Sequence, residues 1–390
     1  MTSRICIRMG GTKQFLKAFL GTALPVLVCS AAFAQGAQGQ HACAFVNDNF
    51  PGANTVEGYS VTGSNAVHVG PVATGGKGSP ANLHTFFGTP LIAIAPGTTH
   101  LYASNNGTND IALLDIDAVT CDLKFVAHYP SGGNSLAGLG IAISRDGKFL
   151  YASNNESAAK LAVLKINADG SLSKPVQTVS LSAGFSTLAI TPDGKTLIAT
   201  QATASQEVQA YTINTSTGKV TFASSVSTVG AADGVAIDSH SKFVYVGNGG
   251  QGGGDDVQVI KIGAGARLTY IADNVFGIRG SSNCLLLSNN GKLLYFSNQR
   301  GANVITLNVN PLSGAVSFNS IVSDGQSFVD EPSQLAQNST GTLVFTGDFN
   351  TSGAPSMGIF QASANGTLKS IGVFPLAQNA SATSIAAGSF

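Results

Sequence analysis

The chain has 390 residues, 43% of them hydrophobic and only 10% charged, with twenty basic residues balancing twenty acidic ones. That is apolar enough for a large core and too poor in charge for a disordered chain. No Lys/Arg stripe interrupts it, which excludes an electrostatic nucleic-acid surface.

The first 34 residues predict a secretory signal peptide. Arg4, Arg8, Lys13 and Lys17 form a cationic start with no acid, Phe19 to Phe33 is apolar, and Ala32-Phe33-Ala34 places small residues before a cut at Gln35. The apolar stretch is short for a membrane span, and no later segment reaches about 18 apolar residues. An exported chain, periplasmic, cell-surface or secreted, is therefore expected. Without the leader, sixteen basic residues face twenty acidic ones, a formal net charge of −4. Cys43, Cys121 and Cys284 follow the leader, and in an oxidising compartment they suggest one disulfide and one thiol.

From residue 41 onward a unit recurs every 46 to 50 residues. Its clearest copy runs from Ile141 to Asn154, with relatives at Ile92–Asn105, Leu188–Thr200, Val235–Asn248, Leu285–Asn298 and Leu335–Asp348. The anchors Tyr102, Tyr151, Ile198, Tyr245, Tyr295 and Phe345 lie 49, 47, 47, 50 and 50 residues apart. Within each copy an apolar strand meets a turn such as Asp146-Gly147 or Asn290-Gly291, and a second apolar strand follows. A third strand, a second turn such as Asp169-Gly170 or Asn365-Gly366 and a more polar fourth strand complete the unit. Four antiparallel strands per repeat predict the blade of an all-β propeller.

Six units begin near residues 91, 139, 187, 233, 283 and 333. Residues 41–80 hold only the last three strands of a unit, and 383–390 read as a lone first strand. One strand plus three predicts a seventh blade closed by both termini, within a single domain over 35–390.

The strand signature Tyr102-Ala103-Ser104-Asn105, repeated at Tyr151 to Asn154 and Tyr295 to Asn298, resembles the YVTN-type propeller repeat. With the paired turns and strand ends such as Ala162-Val163-Leu164-Lys165-Ile166-Asn167, it also resembles the seven-bladed lactonase family of phosphogluconolactonase and carboxymuconate cyclase type. The resemblance spans residues 41 to 390. It implies a possible lactone hydrolase whose His, Arg and Glu sit on loops leading into the innermost strands.

Those loops here carry His84, Asp233, Arg279, Asp330 and Glu331. A base, a cation and carboxylates can polarise and hydrolyse an ester-like carbonyl. Arg279, Glu331 and His84 are the catalytic candidates, with Asp233 and Asp330 as ligand-binding candidates. Plain solvated loop residues would look the same, and the Pro-His pair of catalytic family members is absent. The leading expectation is therefore a non-catalytic binding or cell-surface module. A periplasmic lactonase-type hydrolase is the alternative and a polysaccharide-binding surface protein the second. The partner would be a small molecule, glycan or surface protein at the channel mouth, and the chain a monomer.

No cofactor or metal is expected. The six histidines stand at no metal-ligand spacing, and Gly249 to Asp256 lacks the Gly-Lys-Ser/Thr of a phosphate loop and the oxygen count of a calcium site. Asn105, Asn154, Asn248, Asn298 and Asp348 recur at strand ends, where local bonding to backbone explains them. Cys43 opens the second strand of the split blade and Cys121 lies in a turn of the next blade, on the side away from the channel mouth. A Cys43–Cys121 disulfide with Cys284 free is expected.

Overall fold

The structure is a computed structural model describing residues 41–79, 89–133, 139–153, 159–181, 184, 187–201, 206–249, 256–276, 282–298, 301, 303–323, 330–350, 355–377 and 384–390. At 249, 256, 282–283, 330–333 and 349–350 it describes backbone alone. His84, Arg279, Asn154 and the segment expected to be a signal peptide lie outside the described residues, as does the run from 250 to 255.

The described chain forms seven four-stranded antiparallel sheets. The first blade runs outward through β4 (Ile92–Ile94), β5 (His100–Asn105), β6 (Asp110–Ile116) and β7 (Leu123–Pro130). The second uses β8 (Gly140–Ile143), β9 (Phe149–Ser153), β10 (Lys160–Ile166) and β11 (Leu172–Ser180), and the third β12 (Thr187–Ile190), β13 (Thr196–Gln201), β14 (Glu207–Ile213) and β15 (Val220–Ser227). The fourth comprises β16 (Ala231–Ile237), β17 (Phe243–Gly249), β18 (Asp256–Ile262) and β19 (Leu268–Val275), with one 3-10 turn at Ala264–Ala266. The fifth comprises β20 (Ser282–Leu287), β21 (Leu293–Asn298), β22 (Asn303–Val309) and β23 (Val316–Ser323). The sixth comprises β24 (Asp330–Gln337), β25 (Leu343–Asn350), β26 (Ser356–Ala362) and β27 (Leu368–Pro375). In the last sheet β28 (Ile385–Gly388) pairs with β1 (His41–Asn47), which leads to β2 (Thr55–Thr62) and β3 (Asn65–Ala73).

The innermost strands touch in sequence around a ring, β4 to β8, β12, β16, β20, β24, β28 and back to β4. Alternating side chains send each face of a blade into a different seam. The result is seven apolar clusters, one per seam. Tyr102 and Leu113 of the first blade pack on Ile141 and Leu150 of the second. Cys43 and Phe45 of the split blade pack on Leu101 and Leu114 of the first. Ala44 and Val46 pack on Phe345 and Ile359 of the sixth. The core is thus a ring of inter-blade layers, and a blade removed from the ring would expose both faces.

Two of the anchoring tyrosines also bond across seams. Tyr102 donates its hydroxyl to Gly170 O at 2.6 Å, and Tyr151 donates to Gly218 O at 3.0 Å. Each acceptor is the turn glycine between the third and fourth strands of the following blade. Gly218 needs to be glycine on two counts: its φ is +71°, and a Cβ there would lie 2.3 Å from Phe149 Cδ1.

The turns between first and second strands differ from the two-residue hairpin that the Asp-Gly and Asn-Gly pairs suggest. Only the glycine takes positive φ, as at Gly147 (69°), Gly194 (72°) and Gly291 (69°). The residue after the innermost strand caps the turn instead. Ser144 Oγ accepts from Phe149 N at 2.9 Å, Thr191 Oγ1 from Thr196 N at 3.0 Å and Ser288 Oγ from Leu293 N at 3.0 Å. In the fourth blade Asp238 Oδ1 takes this role toward Phe243 N at 2.6 Å.

Candidate channel-mouth site

The connections from fourth to first strands, and those from second to third strands, share one end of the ring. Asp233, Asp330 and Glu331 all belong to that end, but on strands rather than loops. Asp233 is the extra residue of a bulge in β16, between Ala232 paired with Asn248 and Gly234 paired with Gly247. Asp330 and Glu331 open β24 opposite Asn350 and Phe349, with a second bulge between Pro332 and Gln334. β20 has the same irregularity between Ser282 and Cys284. A bulge lets an innermost strand start earlier than the repeat suggests, so β16, β20 and β24 reach further toward the mouth. It also re-aims the extra side chain.

Asp233 is the candidate whose surroundings are described. Its backbone carbonyl accepts the hydroxyl of Thr187, from the start of the neighbouring innermost strand β12. Its carboxyl is pushed up to about 7, and the cause is burial. A carboxyl that titrates near neutrality can take a proton from water or return one to a leaving alkoxide. Of the three catalytic candidates, Glu331 is placed by its backbone on β24, two blades from Asp233. His84 and Arg279 lie outside the described residues.

Two of the recurrent Asn positions, Asn105 and Asn298, serve the scaffold through side-chain bonds. Asn105 Nδ2 donates to Asp110 Oδ1 at 2.6 Å, while its Oδ1 accepts from Asn54 Nδ2 at 2.8 Å and Thr74 Oγ1 at 2.6 Å. This joins the first blade to the split blade. Asn298 Nδ2 donates to Asn303 Oδ1 at 3.1 Å across its own loop.

At the opposite end, Cys43 and Cys121 are joined, with Cα atoms 5.5 Å apart and a sequence separation of 78. Among the described residues Cys284 is the free thiol; it is partly buried, and desolvation pushes it up to about 11. His41 Nε2 lies 3.4 Å from Cys121 Sγ, a proximity that spacing along the chain does not reveal. His41, Cys43 and Cys121 bring potential ligand atoms together, but the two sulfurs are bonded to each other, so no thiolate is left to bind a metal.

Residues 136–235 match a family model described as "Lactonase, 7-bladed beta-propeller". The matched segment spans the second and third blades and ends just past Asp233. No curated protein sequence matches the chain. Among solved structures, the periplasmic gluconolactonase of Pseudomonas aeruginosa is 19% identical with a TM-score of 0.67, over 87% of this chain and 97% of that one. A Bacteroides uniformis protein named as a candidate 6-phosphogluconolactonase is 15% identical with a TM-score of 0.70, over 87% and 98%. Its Bacteroides fragilis counterpart is 17% identical with a TM-score of 0.67, over 86% and 96%. The chain resembles the lactonase-like seven-bladed propellers in fold throughout, and in sequence over the matched segment.

Proposed function

We propose that the protein is a lactone hydrolase of the seven-bladed propeller type, acting at the channel mouth and outside the cytoplasm. The observation that carries this reading is Asp233: a carboxyl on a bulged innermost strand, held near neutral pKa by burial, inside the segment matching the lactonase family. The reading replaces the expectation of a non-catalytic module, which rested on the leader, the low charge and the missing His-Arg-Glu set with its Pro-His pair. That pair is one way to place a base at the mouth, and a desolvated aspartate is another.

In the proposed reaction ionised Asp233 takes a proton from water as the oxygen attacks the lactone carbonyl. Arg279 and His84, on connections leading to the same mouth, are assigned to the developing oxyanion and to protonation of the ring oxygen as the C–O bond breaks. Glu331 and Asp330 orient the hydroxyl groups of the substrate. The product is a hydroxy acid, and no redox step or cofactor is required. The leader at 1–34, and the periplasmic origin of the Pseudomonas relative, support an exported enzyme.

The test is a pH-stat assay of the mature protein on a panel of five- and six-membered lactones, with Arg279→Ala and Glu331→Ala alongside. Turnover above the spontaneous rate, lost in the variants, supports the reading. Turnover at the spontaneous rate across the panel overturns it.

A further inference from the structure

Far from Asp233, where the sixth blade meets the split blade, two carboxylates are buried together. Asp48 is 1% exposed and Glu57 is 0% exposed. Glu57 Oε1 accepts the backbone N–H of Ala377 at 2.8 Å, and Glu57 Oε2 lies 2.7 Å from His68 Nε2. Ala377 follows β27 on the connection leading into β28. Two residues along β2, Tyr59 donates its hydroxyl to Pro375 O, at the end of β27 where that connection begins. The split blade thus grips the segment that delivers its own innermost strand.

Asp48 is bound differently. Its Oδ2 accepts the hydroxyl of Thr55, while Oδ1 is buried with no donor among the protein atoms. Asp48 N bonds Thr55 O and Val46 pairs with Glu57, so Asp48 and Glu57 are diagonal neighbours on one face of the β1–β2 ladder, close enough for the Glu57 charge to act on Asp48. Two acceptors in contact satisfy each other only when one carries a proton. The groups facing the pair are then Thr55, Tyr59 on β2, His68 on β3 and the Ala377 N–H. Among the described residues no Lys or Arg is paired with either carboxylate.

We propose that Asp48 and Glu57 form a proton-operated latch on this seam, closed while one proton is shared between them and released when that proton is lost. With the proton in place, Asp48 donates to Glu57, and Glu57 keeps its hold on Ala377 and His68. Without it, two negative carboxylates meet in a dry seam, with no Lys or Arg paired to them among the described residues. Glu57 is then driven off the Ala377 amide, and the hold of β2 on the end of β27 loosens.

Burial, followed by the Glu57 charge, pushes Asp48 up to about 8 from an ordinary 3.8. The folded state therefore holds this proton more tightly than the unfolded chain. The sign follows: stability falls as pH rises from about 4, and the latch opens as pH passes the folded-state value. The inference does not depend on lactone hydrolysis.

The test is hydrogen exchange on the full mature chain from pH 6 to 9, corrected for intrinsic rates, following 375–390 against a reference in β21. The wild type is expected to lose protection in 375–390 by about tenfold across this range, with β21 unchanged. Asp48→Asn, which keeps a donor and cannot ionise, is expected to hold its protection throughout. Glu57→Gln, if Asp48→Asn does not fold, should flatten the same profile. Wild-type protection that is constant with pH, or a variant that loses it equally, would overturn the proposal. So would restoration at pH 9 by millimolar calcium or magnesium, since the pair would then be a cation site.

Discussion

Replacing Cys43 and Cys121 together by alanine tests the seam between the split blade and the first blade. The bond closes a segment of 78 residues and lies in the cluster with Phe45, Leu101 and Leu114. Cross-linking ends that far apart removes roughly 4.5 kcal/mol of chain entropy from the unfolded state at 25 °C. In a domain of this size each kcal/mol moves Tm by roughly 1 to 2 °C, so the double variant should melt roughly 5 to 9 °C below the wild type. Circular dichroism melts in non-reducing buffer measure the shift, and non-reducing peptide maps check the pairing. A shift below about 1 °C would refute the claim that this bond fastens the ring. A map joining Cys284 to either partner would refute the pairing itself.

Gly218→Ala meets both a positive φ and Phe149, and should cost roughly 2 to 4 kcal/mol. Gly97→Ala meets the same φ range with open space around it and should cost only about 1 kcal/mol; urea midpoints compare the two. Cys284, partly buried and raised to about 11, should react with a thiol reagent more slowly in the native protein than in denaturant; equal rates in the two would contradict its placement. Removing Ile385–Phe390 strips β28 from β1 and uncovers apolar faces in the adjoining seams, so the truncated chain should lose its cooperative melt and aggregate. A melt like that of the full chain would show that the ring does not need this strand.

Most of the fold could be read because each blade repeats two local signals. In most blades an apolar pair of strands meets at a turn glycine, and a large anchor, tyrosine in four of them, holds the second strand. Tyr102 and Tyr151 reach carbonyls of the next blade's turn, so their spacing records inter-blade geometry as well as strand length. The bulges were not legible. Ala232-Asp233-Gly234 looks like a loop in sequence, and only pairing with Gly247 and Asn248 shows that the strand continues through it. That is also why Asp233 stood out only as a ligand-binding candidate: its raised pKa comes from burial, which a sequence does not display. Glu57 is the sharper case. Its partners His68 and Ala377 lie 11 and 320 residues away, and in sequence it is an ordinary charged residue in an apolar strand. The His41–Cys121 contact escaped for the same reason, being set by a seam rather than by spacing along the chain.

The central claim is that Asp233 is the base of a lactone hydrolase, and the pH dependence of kcat/KM tests it most directly. Because burial raises this carboxyl to about 7, its ionised form is scarce below that pH and abundant above it. With a lactone that turns over, the profile should rise with pH through about 7 and level off. Asp233→Asn should abolish the rise and lower the plateau by roughly 100-fold or more, with the Tm of the variant at or above that of the wild type. A profile that rises near pH 4, or an Asn variant of wild-type activity, would contradict the account.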